Sequence, residues 1–85
     1  MALKFTGVRV DDPINWRVAI QASDENGSVR CYVAHDALQD HVGVDVEPLA
    51  AFDSIAAQVQ HALRVKDQAG GRAQDGSLTV GTADL

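Results

Sequence analysis

The chain reads as an α+β domain: a small, mostly antiparallel sheet in the order β-β-β-α-α-β, with two helices packed on one face. Three observations predict this. Two runs of apolar–polar alternation flank the tetrapeptide DENG at 24–27, the mark of a hairpin. An apolar stripe at helical spacing runs through Leu49, Phe52, Ala56, Val59 and Leu63. Strand-like segments come first and helix-like segments follow, with one last strand candidate at the end, which is the order of an α+β layer pair.

The first strand candidate alternates from Leu3 to Phe5, is interrupted at Gly7, and resumes at Val8 and Val10 with the opposite parity. A bend or bulge at Gly7 is expected. Asp11-Asp12-Pro13 is turn chemistry, since Pro sets φ and Asp bonds nearby backbone. In NWRVAIQAS at 15–23, Trp16, Val18, Ile20 and Ala22 share one face; in SVRCYVA at 28–34, Val29, Cys31 and Val33 do. Asn26-Gly27 suits a two-residue turn of type I′, which would pair Glu25 with Ser28, Ala22 with Cys31 and Ile20 with Val33. A four-residue loop would slide that pairing by two and keep the same faces together. Either way Trp16, Val18, Ile20, Cys31 and Val33 form the core face, and Arg17, Gln21, Arg30 and Tyr32 face out.

Residues 36–42 form a short helix candidate. Asp36 suits its positive end, Gly43 its C-terminal stop, and Leu38 and Val42 lie one turn apart, facing inward. Residues 48–66 read as one long helix, with Pro48 at its first position and Asp45 or Glu47 placed to cap it. Ile55 and Ala62 widen its stripe, and His61 and Val65 point away. Gly70-Gly71 ends it, Asp75-Gly76 is a turn, and SLTVGT supplies the last strand through Leu78 and Val80.

Composition narrows the function classes. Eighty-five residues make one domain, 1–85, with a thin core and only 5% aromatic residues. Twelve acidic residues against seven basic ones give a net charge of −5. The basic residues are scattered, so nucleic acid is disfavoured as a partner. A single cysteine excludes an intrachain disulfide and suits a reducing compartment. With neither a signal-type apolar run nor a membrane span, a soluble cytoplasmic protein is expected.

The densest chemistry lies in RCYVAHDALQDHVG at 30–43, which holds two His, two Asp and the only Cys. Asp36 and Asp40 are one helical turn apart. His41 lies about a third of a turn from Asp40, and His35 and His41 diverge on an ideal helix. Asp36, Asp40 and His41 are therefore a weak polar site and a poor zinc set, and no metal or other cofactor is expected. His41 fits a structural role in the last helical turn. Cys31 falls on the core face as a small hydrophobe. No nucleophile motif, glycine-rich phosphate loop or paired Cys motif is present. Arg17, Gln21, Arg30 and Tyr32 are the candidate interaction surface, since Arg and Tyr are enriched at binding hot spots.

Four motifs carry a resemblance: G-x-x-R-C-x-V-A at 27–34, A-L-x-D-H-x-G at 37–43, L-x-A-F at 49–52 and D-G-S-L at 75–78. Together they resemble domain of unknown function family 1488, the A-L-x-D-H-x-G piece being the most specific. The resemblance implies a small α+β domain of bacterial source, with no activity or catalytic residues to carry over. Ala34 stands where a Ser would cap the short helix, and Val42 where the family commonly has a Phe.

The sequence thus points to a non-catalytic domain acting through protein–protein contacts or self-association by its outer sheet face. The alternative is a metal-dependent or hydrolytic enzyme using Asp36, Asp40 and His41.

Overall fold

Three consecutive strands, β1 (Lys4–Asp12), β2 (Arg17–Asp24) and β3 (Gly27–Ala34), form an antiparallel meander. A fourth, β4 (Leu78–Val80), joins β3 in parallel, giving the order β1-β2-β3-β4. A parallel neighbour requires a crossover connection, and the helices supply it: α1 (His35–His41), α2 (Pro48–Ser54) and α3 (Ala56–Gln68). A short 3₁₀ turn at Thr82–Asp84 follows β4. The computed structural model describes residues 3–85.

Alternation decides which face is buried. Val18, Ile20 and Ala22 of β2, Val29, Cys31 and Val33 of β3, and Leu78 and Val80 of β4 are all buried. Ala37, Leu38, Phe52, Val59 and Leu63 from the helices meet them in one apolar cluster. The two layers are an α+β sandwich of one sheet face and one helical layer, as the segment order implies.

The hairpin takes the four-residue register. Ser23 pairs with Ser28, Ala22 with Val29, Ile20 with Cys31 and Val18 with Val33. The two-residue turn centred on Asn26-Gly27 does not form. Glu25 and Asn26 stay at negative φ, and Gly27 takes φ 123° just beyond them. The Asp24 carboxylate explains the choice: it accepts the Asn26 N–H at 2.8 Å, an Asx turn that moves the reversal one residue back. The slide is two residues, so the faces are unchanged.

Three further expectations are corrected. Trp16 is not on the core face: it is half exposed, lies in the turn before β2, and has φ +56°. The interruption at Gly7 (φ +88°) does not switch parity. Phe5 pairs with Ala22 and Arg9 with Ile20, so four steps of β1 span two of β2. Two extra residues, an even number, leave Val8 and Val10 on the outer face, where a one-residue bulge would have turned them inward. Lastly, the long helix is two helices. Ile55 leaves the helical region at φ −125°, ψ 23°. The Ser54 hydroxyl donates to the Ala51 carbonyl at 2.8 Å. That carbonyl is the partner the Ile55 N–H would use in a continuous helix, and the N–H bonds Phe52 O at 3.0 Å instead.

Both sheet edges are blunted. Lys66 Nζ donates to Thr79 O at 2.6 Å, covering β4, and the Gly7 irregularity breaks the flat edge of β1. Among the described residues, no helix is long and apolar enough to cross a membrane.

Candidate functional site

All three helices pack on one side of the sheet, and the other side is uncovered. Direct pairing places Val10 opposite Ala19, Ala19 opposite Tyr32, and Tyr32 opposite Thr79. These four form one row across every strand. A second row sets Gln21 against Arg30, and a third sets Asp12 against Arg17 and Arg17 against Ala34. The four residues singled out from alternation, Arg17, Gln21, Arg30 and Tyr32, therefore lie on one surface. The Arg17 guanidinium stacks on the Tyr32 ring at 3.6 Å and donates from Nε to Asp12 at 3.2 Å. Val8 and Val10 stand 50% and 58% exposed beside this pair. Alternation alone did not assign them here, because the parity of β1 beyond Gly7 depends on how many residues the irregularity inserts.

Charge on this face runs against the charge of the chain. Lys4, opposite Ser23, joins Arg17 and Arg30, and Asp12 is the one acid among the described strand residues facing this way. Arg17 is paired with Asp12, and elsewhere Arg9 pairs with Asp53, Lys66 with Asp84, and Arg72 with both Asp24 and Asp67. Bonding from Arg9 holds the Asp53 carboxyl below its ordinary range, and Arg72 does the same to Asp24.

The polar cluster of α1 is spread out. Asp36 accepts the Trp16 indole N–H at 3.0 Å. Asp36 and Asp40 are exposed on the rim of a shallow hollow with Gln39 and Val44. His41 is exposed and does not line that hollow. Among the described residues, no three His, Cys, Asp or Glu side chains are grouped to hold a metal ion. Burial pushes the Cys31 thiol up to about 11, so it is un-ionised at neutral pH.

A second feature was not singled out from the sequence. His35, the first residue of α1, is 3% exposed, and its Nε2 lies 2.6 Å from Asp11 Oδ1. Its ring meets Trp16 edge-on at 4.6 Å between centroids. Its backbone N–H donates to Trp16 O at 2.9 Å. The signal was present: His35 continues the inward parity of Val29, Cys31 and Val33, one step past the end of β3. Beside it a cavity of about 250 Å³ opens between the Trp16 turn, α1 and the α1–α2 loop.

Comparison with known proteins adds a family and a fold. No curated protein matches the chain. A solved structure, a protein of unknown function from the DUF1488 family of Shewanella loihica PV-4, superposes with a TM-score of 0.81. It covers 93% of this chain and 91% of its own at 13% identity, a likeness of fold. The family model described as protein of unknown function (DUF1488) matches residues 3–80. The chain therefore belongs to the DUF1488 family.

Proposed function

We infer that this domain acts by protein–protein contact through the uncovered face of its sheet, without catalysis of its own. The observation that carries the reading is the cross-strand row Val10–Ala19–Tyr32 on the uncovered face, with Arg17 and Arg30 in the rows on either side and Lys4 further along. Aromatic and Arg side chains around exposed aliphatic ones are the composition of an interface centre. Scattered surface apolar residues need no partner, but here they are neighbours in register. The local excess of cations on a chain of net charge −5 fits an acidic partner surface with an apolar anchor. Self-association face to face would set these cations against their own copies, so a different protein is the better fit. The blunted edges favour use of the face over strand addition.

The test combines solution mass with affinity capture from the encoding organism, using wild type and Arg30→Glu. A discrete acidic protein captured by wild type and lost on charge reversal is expected. A wild-type mass of twice the monomer, reverting in the variant, would move the reading to self-association. Salt-sensitive binding of random-sequence nucleic acid would replace protein by polyanion as the partner. A strict monomer with a capture profile indifferent to Arg30→Glu would overturn the proposal.

A further inference from the structure

The cavity beside His35 lies on the helical side of the sheet, away from the uncovered face, and is unrelated to the reading above. Its wall is apolar for most of its extent, from the Trp16 ring, Leu38, Val44 and Pro48, with Asp11 and His35 converging at one end. That division, a greasy body and a few placed polar groups, is the ordinary make-up of a small-molecule site. At about 250 Å³ it falls below the roughly 300–1,000 Å³ of drug-sized sites, so its ligand is small.

Three features set the ligand's chemistry. First, His35 Nε2 lies 2.6 Å from Asp11 Oδ1. Nδ1 is buried and has no hydrogen-bond partner among the described residues. An orphaned buried ring nitrogen marks a polar spot that the described residues do not satisfy. Second, the Asp11 carboxylate, with its side chain 32% exposed, presents acceptors at that end. Third, the indole of Trp16 offers the ring best suited to a cation, half exposed at the mouth.

Backbone strain points to the same place. Trp16 holds φ +56°, a left-handed conformation that a bulky side chain rarely adopts. Its indole N–H bond to Asp36, its edge contact with His35 and its carbonyl bond to the His35 amide keep it there. Strain over-determined in this way clusters at ligand clamps.

We propose that this cavity is a binding site for a small amine: an ammonium group set against the Asp11 carboxylate and the Trp16 face, and a short apolar body along Leu38 and Val44. The chain has one tryptophan, so Trp16 emission reports the site without interference. The experiment titrates wild-type protein with 2-phenylethylamine, 2-phenylethanol and 3-phenylpropanoate, three probes of one shape and different charge. A saturable change in Trp16 emission is expected for the amine, with at least ten-fold weaker binding of the alcohol and none of the carboxylate. Asp11→Asn should weaken the amine at least ten-fold. Val44→Lys, at an exposed rim position where folding is not at stake, should do the same by placing a fixed ammonium at the mouth. Equal binding of all three probes, no saturable change with the amine, or amine binding unaltered in a folded Val44→Lys protein would each overturn the proposal.

Discussion

The guanidinium of Arg17 lies 3.6 Å above the ring of Tyr32, while its Nε donates to Asp12. One side chain thus joins three neighbouring elements of the open face: the end of β1, the start of β2 and the middle of β3. A cation, and not a covering helix, packs on the ring. A double-mutant cycle of Arg17→Ala and Tyr32→Ala should give a coupling of about 0.5–1 kcal/mol in urea unfolding, the size of an exposed cation–π pair. A coupling near zero would mean that the stack adds nothing in solution.

Asp11 and His35 form a much drier pair. Asp11→Ala would leave His35 without a partner on either ring nitrogen, at a cost of about 1–3 kcal/mol. Asp11→Asn keeps an acceptor in place and should cost less. Chemical denaturation of both variants checks the order, and equal losses would show that the pair contributes nothing by its hydrogen bond.

The break between α2 and α3 rests on Ser54. Ser54→Ala frees the Ala51 carbonyl for the Ile55 N–H and improves local helix propensity by roughly 0.5 kcal/mol. Helical circular dichroism should rise slightly and stability should hold or improve. A clear loss of stability would mean that the bend itself is needed to seat Phe52 and Val59 in the core.

Acid stability follows from the ion-paired carboxylates. Asp24 is held below its ordinary value of 3.8, first by Arg72, and Asp53 likewise by Arg9. Their folded values are depressed, so the stability they contribute is present above about pH 4 and is lost as pH falls through the folded values. Tm should drop on acidification below about pH 4, and less steeply in Arg72→Gln, where Asp24 loses its partner. An equal acid slope in that variant would contradict the assignment.

Much of the fold was legible because period-two and helical patterns were unbroken. Val18–Ile20–Ala22 and Val29–Cys31–Val33 could face only one way, and a register slip of two residues left their facing unchanged. What escaped depended on competition between side chain and backbone. Asp24 capturing the Asn26 N–H moved the turn, and the Ser54 hydroxyl taking the Ala51 carbonyl broke the helix. The even-numbered insertion at Gly7 kept Val8 and Val10 outside. Trp16 looked like a core residue by alternation, but the turn reached one residue further than Pro13 and Asn15 revealed. Of the polar candidates, Arg17, Gln21, Arg30 and Tyr32 are brought together by strand pairing, whereas Asp36, Asp40 and His41 are spread around a short exposed helix. His35, a step past the strand and just before a helix expected to begin at Asp36, was weighed only as a His diverging from His41.

The most direct test of the interaction surface is photo-crosslinking in the living cell. A photoreactive amino acid is placed at Val10 on the open face and, in a separate protein, at exposed His61 on α3. Irradiation should yield a discrete adduct with another protein from the Val10 position and none from the His61 position. No adduct from Val10, or the same adducts from both positions, would contradict the claim that the uncovered sheet face is where this domain meets its partner.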